Sequence, residues 1–156
     1  MMGASRPAGR HGSRTARWLA VVLWVALVAA GCGWKKAQVE AETAVARHFD
    51  AVAHHSSALV LDGYDATFFS VTPRDQWGKR LRTIEAKLGD FQSFKVVNWN
   101  VQSKVGTDAG TYVMLTCQVS YSKYPAEERM LMFRRSDDDA FKIVKHGINS
   151  EGFMQE

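Results

Sequence analysis

The sequence predicts an α+β domain in which N-terminal helices pack on a curved, four-stranded antiparallel sheet. Three observations predict it. Apolar residues in the first half recur at helical steps of three and four. In the second half they alternate with polar residues, the period of a strand. The breaks between the alternating runs are short and contain Gly, Asp or Pro, which suits neighbouring strands joined in a meander. A sheet with one dry face needs a cover, and the preceding helices supply it.

A leader comes first. Arg6, Arg10, Arg14 and Arg17 precede or adjoin an apolar run from Trp18 to Gly31, with no acid among them. A basic stretch, a short apolar run and small residues before a break mark residues 1–31 as a signal peptide. The run is shorter than the roughly 20 residues a membrane-spanning helix needs. Ala29-Ala30-Gly31-Cys32 resembles the lipobox of bacterial lipoproteins. The resemblance implies cleavage before Cys32 and acyl chains, palmitate among them, on its thiol and new amine. Two chains give stable anchoring where one does not. Gly33 stands where Asp often retains such lipoproteins at the inner membrane, which implies the outer membrane if the organism has one. Residues 32–37 then form the lipidated N-terminus and a tether, and 38–156 a single domain. Trp34, Lys35 and Lys36 suit a membrane interface and anionic headgroups.

Loss of the leader changes the charge. The whole chain has a formal net charge of +4, and the leader's arginines account for that excess. From Cys32 onward the chain is formally neutral, with 16 basic and 16 acidic residues. A nucleic-acid partner loses its compositional support. The implied partner is membrane lipid, through acylated Cys32.

The helices follow in order. From about Gln38 to Leu61, the residues Val45, Phe49, Val52, Ser56 and Leu59 share a face, and frequent Ala favours the helix. Asp62-Gly63 stops it. Tyr64, Phe68 and Val71 mark a short second helix, with Asp62 as its cap. Thr72-Pro73-Arg74-Asp75 starts a third, with a cap, a Pro at the first helical position and an acid in the first turn. Trp77, Leu81, Ile84 and Leu88 form its buried stripe, and Gly89 ends it.

The strands come next. Phe91–Val105 reads as one long, bent strand in which Val97, Trp99 and Val101 alternate with Asn98 and Asn100. Residues 106–110 turn the chain, and Thr111–Tyr121 is the second strand. A loop with Pro125 leads to Glu128–Arg135, the third. Asp137-Asp138-Asp139 forms a turn before Ala140–Ile148, the fourth. Cys117 shares parity with Val113, Leu115 and Val119, which predicts a buried thiol and no nucleophile.

Several segments resemble a family of small bacterial secreted proteins and lipoproteins, a domain of unknown function. They are Leu61–Ala66, Thr72–Trp77, Leu88–Phe91, Gly110–Leu115 and Gly147–Phe153. The chain is also similar to the wider cystatin-like and nuclear-transport-factor-2-like group. That likeness implies a pocket between helices and sheet, lined in its enzymes by an acidic or basic Asp or His. Possible pocket or rim residues are His146, on the last strand, and Trp99 beside it. His146 otherwise has a solvent-facing or hydrogen-bonded structural role.

The sequence assigns no catalytic residue, no cofactor and no metal site. Asp65 and Asp75 read as helix-start acids, and Asp90 as a turn residue. His48, His54 and His55 do not share one helical face and read as surface histidines. Tyr121 and Tyr124 flank the loop at 122–127, exposed or packed at an edge. The functional expectation is a lipid-anchored cell-envelope protein with a binding or structural role. The alternatives are a small-molecule pocket enzyme, which requires a cavity holding a buried carboxylate or His, and a subunit of an envelope assembly.

Overall fold

The computed structural model describes the backbone of residues 14–107 and 109–155, and side chains from residue 33 onward within that span. Two compact units are distinguished, Met1–Trp34 and Lys35–Glu156. Helix α1, Arg14–Ala53, begins in the first unit. The side chain of Cys32, the expected lipidation site, lies outside the described residues. Among the described residues, no helix is long and apolar enough to cross a membrane.

In the second unit α1 is followed by α2 (Ser57–Asp62), α3 (Ala66–Val71), α4 (Arg74–Leu88) and four strands. These are β1 (Phe91–Lys104), β2 (Gly110–Tyr121), β3 (Ala126–Arg135) and β4 (Lys142–Asn149). A short 3-10 turn, Glu151–Phe153, follows β4. The sheet has the order β1-β2-β3-β4 with every neighbouring pair antiparallel. The architecture is therefore α+β, with several N-terminal helices packed against a four-stranded antiparallel meander.

The helices depart from the predicted pattern at the start of α4 and in three further places. At α4, Pro73 and not Thr72 is the cap residue, Arg74 is the first helical residue, and no side chain caps the helix. The helix expected to reach Leu61 is two helices. α1 ends at Ala53, and His55 takes a left-handed φ of 51°. The amides of His55 and Ser56 close the helix by donating to the carbonyls of Val52 and Ala51, both at 2.9 Å. This is the usual left-handed helix ending, with His where Gly is commonest. Leu59 is consequently exposed and Val60 buried. Secondly, the cap of α3 is Asp65, whose carboxylate accepts from the Thr67 amide at 2.8 Å. Asp62 sits one turn too early for that role, and Val71 lies in solvent at 84 % exposure. Thirdly, residues 33–37 are helical, and Ala37 already belongs to the core.

Gly89 is required where α4 meets β1. Its φ is 87°, and a Cβ there would fall 2.1 Å from Ser122 Oγ. Only Gly takes both the positive φ and the close approach without strain.

The inner face of the sheet is built in rows of cross-strand partners. Val101, Val113 and Met132 form one row, with Ile143 on β4 completing it. Trp99, Leu115, Met130 and His146 form the next, and Val96, Cys117, Glu128 and Ile148 the one after. A bulge between Val96 and Asn98 switches the parity of β1. Val96 therefore packs against the core and Val97 is exposed, whereas uninterrupted alternation would have placed Val97 inside with Trp99. Val45 and Phe49 of α1 press onto these rows. The Phe49 ring lies 4.6 Å from that of Phe94 and 5.3 Å from that of Phe91. Each fully buried large apolar side chain contributes about 1.5–3 kcal/mol.

Candidate functional site

Glu128 breaks the apolar pattern of the inner face. It shares parity with Met130 and Met132 on β3, yet it is only 1 % exposed. A buried carboxylate requires partners, and Glu128 has two. The Tyr121 hydroxyl donates to its Oε1 at 2.5 Å, and His146 Nε2 meets its Oε2 at 2.8 Å. An ionised carboxylate only accepts, so Nε2 of His146 is the donor. The other ring nitrogen, Nδ1, lies 2.7 Å from the Tyr64 hydroxyl. With a neutral imidazole, Tyr64 donates to Nδ1. The result is a continuous chain from Tyr64 through His146 and Glu128 to Tyr121.

Each member is positioned by a different element. Glu128 and His146 come from the neighbouring strands β3 and β4, and Tyr121 from the end of β2. Tyr64 is held in the link between α2 and α3 by a bridge to Ile143. The Ile143 amide donates to the Gly63 carbonyl, and the Asp65 amide donates to the Ile143 carbonyl, both at 2.9 Å. The Tyr64 ring also packs against Phe68 and Trp77.

His48 of α1 closes over this chain. Its ring lies 5.7 Å from those of both Tyr64 and His146. Although it was expected on the helix surface, His48 is 5 % exposed. It follows Val45 by three residues and precedes Val52 by four, so it occupies the buried stripe. Among the described residues, His48 Nδ1 and Trp77 Nε1 are buried without a hydrogen-bond partner.

A cavity of about 60 Å³ lies beside the chain, with His48, Tyr121, Glu128 and His146 at its polar end. Val52, Val60, Leu61, Leu81, Phe91 and Ile148 supply apolar wall. Exposed His55, Ser57 and Arg82, with half-buried Glu85, form the rim. On the same measure a single water needs about 10–15 Å³. The space thus takes a few waters or one small group.

Burial and charge set the ionisation of these groups. Burial alone would raise the Glu128 carboxyl. The hydrogen bond and charge of His146, the Tyr121 hydroxyl and the charge of His48 outweigh it, and Glu128 is held below its ordinary value. Burial, followed by the charge of His146, pushes His48 down to about 3, so it is neutral near pH 7. Burial raises the Tyr64 hydroxyl. Burial and the adjacent Glu128 likewise raise that of Tyr121. The Cys117 thiol, directly across from Glu128 in the sheet, is pushed up to about 12 by burial and then by Glu128 and Glu42. It is a buried free thiol, as its parity predicted.

The rim holds a second grouping. His55 Nδ1 lies 2.5 Å from Glu85 Oε1. Asp90 completes a set of potential metal ligands whose atoms fall within 4.8 Å of one another. His55 and Glu85 are 30 residues apart, and spacing along one helix could not reveal their approach. One imidazole and two carboxylates are a donor set that divalent metals accept.

His146 and Trp99 face the same side of the sheet, but they are not neighbours. They occupy opposite ends of one cross-strand row, β4 and β1, three strand spacings or roughly 14 Å apart. Trp99 is 45 % exposed and does not line the cavity. His146 is hydrogen-bonded at both nitrogens, with its side chain 1 % exposed. Tyr121 turns inward instead of flanking an exposed loop. Asp65 is the helix-start acid expected and also pairs with Arg135 at 3.2 Å. Asp75 lies in the first turn of α4.

Compared with known proteins, the chain matches no family model, no curated protein and no solved structure.

Proposed function

We propose that this chain is a lipid-anchored domain of the cell envelope that binds a small ligand between its helices and its sheet. The anchor is the acylated Cys32 of the lipobox-like Ala29-Ala30-Gly31-Cys32, inserted in membrane lipid of the outer membrane where one exists. We read the fold as a cystatin-like or nuclear-transport-factor-2-like variant, in keeping with helices that cover one face of an antiparallel meander. The observation that carries the binding role is the cavity lined at one end by buried Glu128, His146 and His48, the last with a ring Nδ1 that meets no partner.

The chain Tyr64–His146–Glu128–Tyr121 also favours a second reading, a small-molecule enzyme using this pocket for acid–base chemistry. Binding is the better account. Both His146 nitrogens and both Glu128 oxygens are already engaged. His48, pushed down to about 3, is a weak base near neutral pH. The apolar wall and the single polar end suit recognition of a ligand that carries one polar head.

Two measurements test the proposal. The intact mass of membrane-extracted protein should correspond to a chain starting at Cys32 plus acyl groups; an unmodified soluble chain would refute the anchor. NMR with a set of small polar fragments should give shifts that converge on Val52, Leu81, Glu128 and Ile148. Gly78→Leu, at the cavity wall, should remove them. Scattered shifts, or shifts indifferent to Gly78→Leu, would refute the binding role.

A further inference from the structure

We propose that the cavity takes a small ammonium head group, held between the Glu128 carboxylate and the unpartnered imidazole of His48. This rests on the binding reading above and specifies the ligand's chemistry.

The argument begins with charge. Glu128 is fully buried, and its hydrogen-bond partners are two hydroxyl or imidazole groups, Tyr121 and His146. Neither is a permanent cation. Among the described residues lining the cavity, Arg82 is the one guanidinium, there is no Lys, and Arg82 stands exposed at the rim, one turn before Glu85 on α4. The polar end therefore holds a carboxylate whose nearest cationic partner is the titratable imidazole of His146, with no Lys or Arg against it. A buried anion of this kind is stabilised by a cation that enters and shares its remaining lone pairs.

Hydrogen-bond capacity points the same way. Each carboxylate oxygen accepts from one partner and has capacity for another. The His48 ring is 95 % buried by the measure of its 5 % exposure, and its Nδ1 meets no partner. In the tautomer that carries its proton on Nε2, the neutral His48 imidazole presents Nδ1 as an acceptor. A primary ammonium has three donors and no acceptor, so it complements this acceptor-rich end. A carboxylate or phosphate head would meet Glu128 charge against charge. Phe91 and Tyr121 add aromatic wall, which also favours a cation. The volume of about 60 Å³ suits a small head group, with the rest of a longer ligand directed to the rim.

The test uses the full-length protein in lipid nanodiscs and three probes matched in chain length: propylammonium, 1-propanol and propionate. Binding is read by NMR shifts at the cavity and by titration. Propylammonium should bind roughly tenfold or more tighter than 1-propanol, and propionate weakest. Glu128→Gln should erase the ammonium preference while 1-propanol still binds. His48→Phe, which keeps an aromatic ring but removes its nitrogens, should weaken propylammonium by a larger factor than 1-propanol. Equal binding of alcohol and ammonium, or tightest binding of propionate, overturns this inference and leaves the binding reading standing. Binding of none of the three at tens of millimolar overturns both. If Glu128→Gln fails to fold, the comparison of probes on the unaltered protein and on His48→Phe still decides. Unchanged ammonium binding in His48→Phe counts against the site.

Discussion

Glu128 and His146 meet on a diagonal of the sheet. The register sets Glu128 opposite Ile148 and Met130 opposite His146, yet His146 Nε2 reaches Glu128 Oε2 at 2.8 Å. The diagonal leaves Met130 to fill the apolar row and frees Glu128 to reach Tyr121 as well. Two buried polar groups thus share one face with the apolar row, at the end of the cavity they line.

Removal of Glu128 should be costly. Glu128→Ala strips His146 and Tyr121 of their acceptor and leaves both buried. Breaking a buried, hydrogen-bonded pair from one side costs about 3–5 kcal/mol. Urea unfolding should show a loss of that order, and Glu128→Gln, which keeps an acceptor in place, a smaller one. A loss below about 1 kcal/mol for Glu128→Ala would mean that water replaces the carboxylate freely.

Acid should unfold this domain, and His48 should be one cause. Its folded value is depressed to about 3 from an ordinary 6.5. Between those values the unfolded chain binds the proton and the folded one does not, so stability falls as pH drops from 6.5 towards 3. Glu128, also depressed, contributes stability present above its ordinary value of 4.5 and lost as pH falls through its folded value. Both effects have the same sign. His48→Phe should flatten the stability curve between pH 6.5 and about 4.5. An unaltered slope in that window would show that His48 is not the group titrating.

Cys117 should resist thiol reagents in the folded state. Its thiol is buried and pushed up to about 12, so little thiolate exists at neutral pH. Labelling should appear only on denaturation, at a rate set by unfolding. Fast labelling of native protein would contradict the packing of the row Val96–Cys117–Glu128–Ile148.

Asp65 should matter through its cap. It accepts from the amide and hydroxyl of Thr67 and pairs with Arg135. Asp65→Ala should cost about 1–2 kcal/mol. Asp65→Asn, which still caps but lacks the charge, should recover most of that, since the Arg135 partner is partly exposed and such pairs contribute little. Equal losses in the two variants would shift the weight to the ion pair.

The strands were legible because alternation and turns are local properties. Predicted and observed limits of β2 differ by one residue, and β1 stops one residue short of Val105. Glu128 was legible in principle, because it shares parity with Met130 and Met132, but parity shows only that it faces inward. Its partners depend on register across three strands. His48 lay on the buried spacing from Val45 to Val52, and its polarity disguised it. The spacing puts Tyr64 on a helix face with Phe68, whereas it lies in a link pinned to β4. The rim grouping of His55, Glu85 and Asp90 joins three chain regions through the left-handed turn after α1. No single-helix pattern encodes that turn.

Both borders of the sheet discourage a fifth strand. On β1 the two irregularities, at Phe91/Ser93 and Val96/Asn98, interrupt the row of outward amides and carbonyls, and Lys95 is exposed between them. On β4 the border is already occupied at Ile143 by the backbone of Gly63 and Asp65, and exposed Lys145 follows. Bulges, lysines and a covering loop are the usual protections against edge-to-edge pairing. Copies of this domain can therefore stand crowded side by side without their sheets zipping into a continuous ribbon.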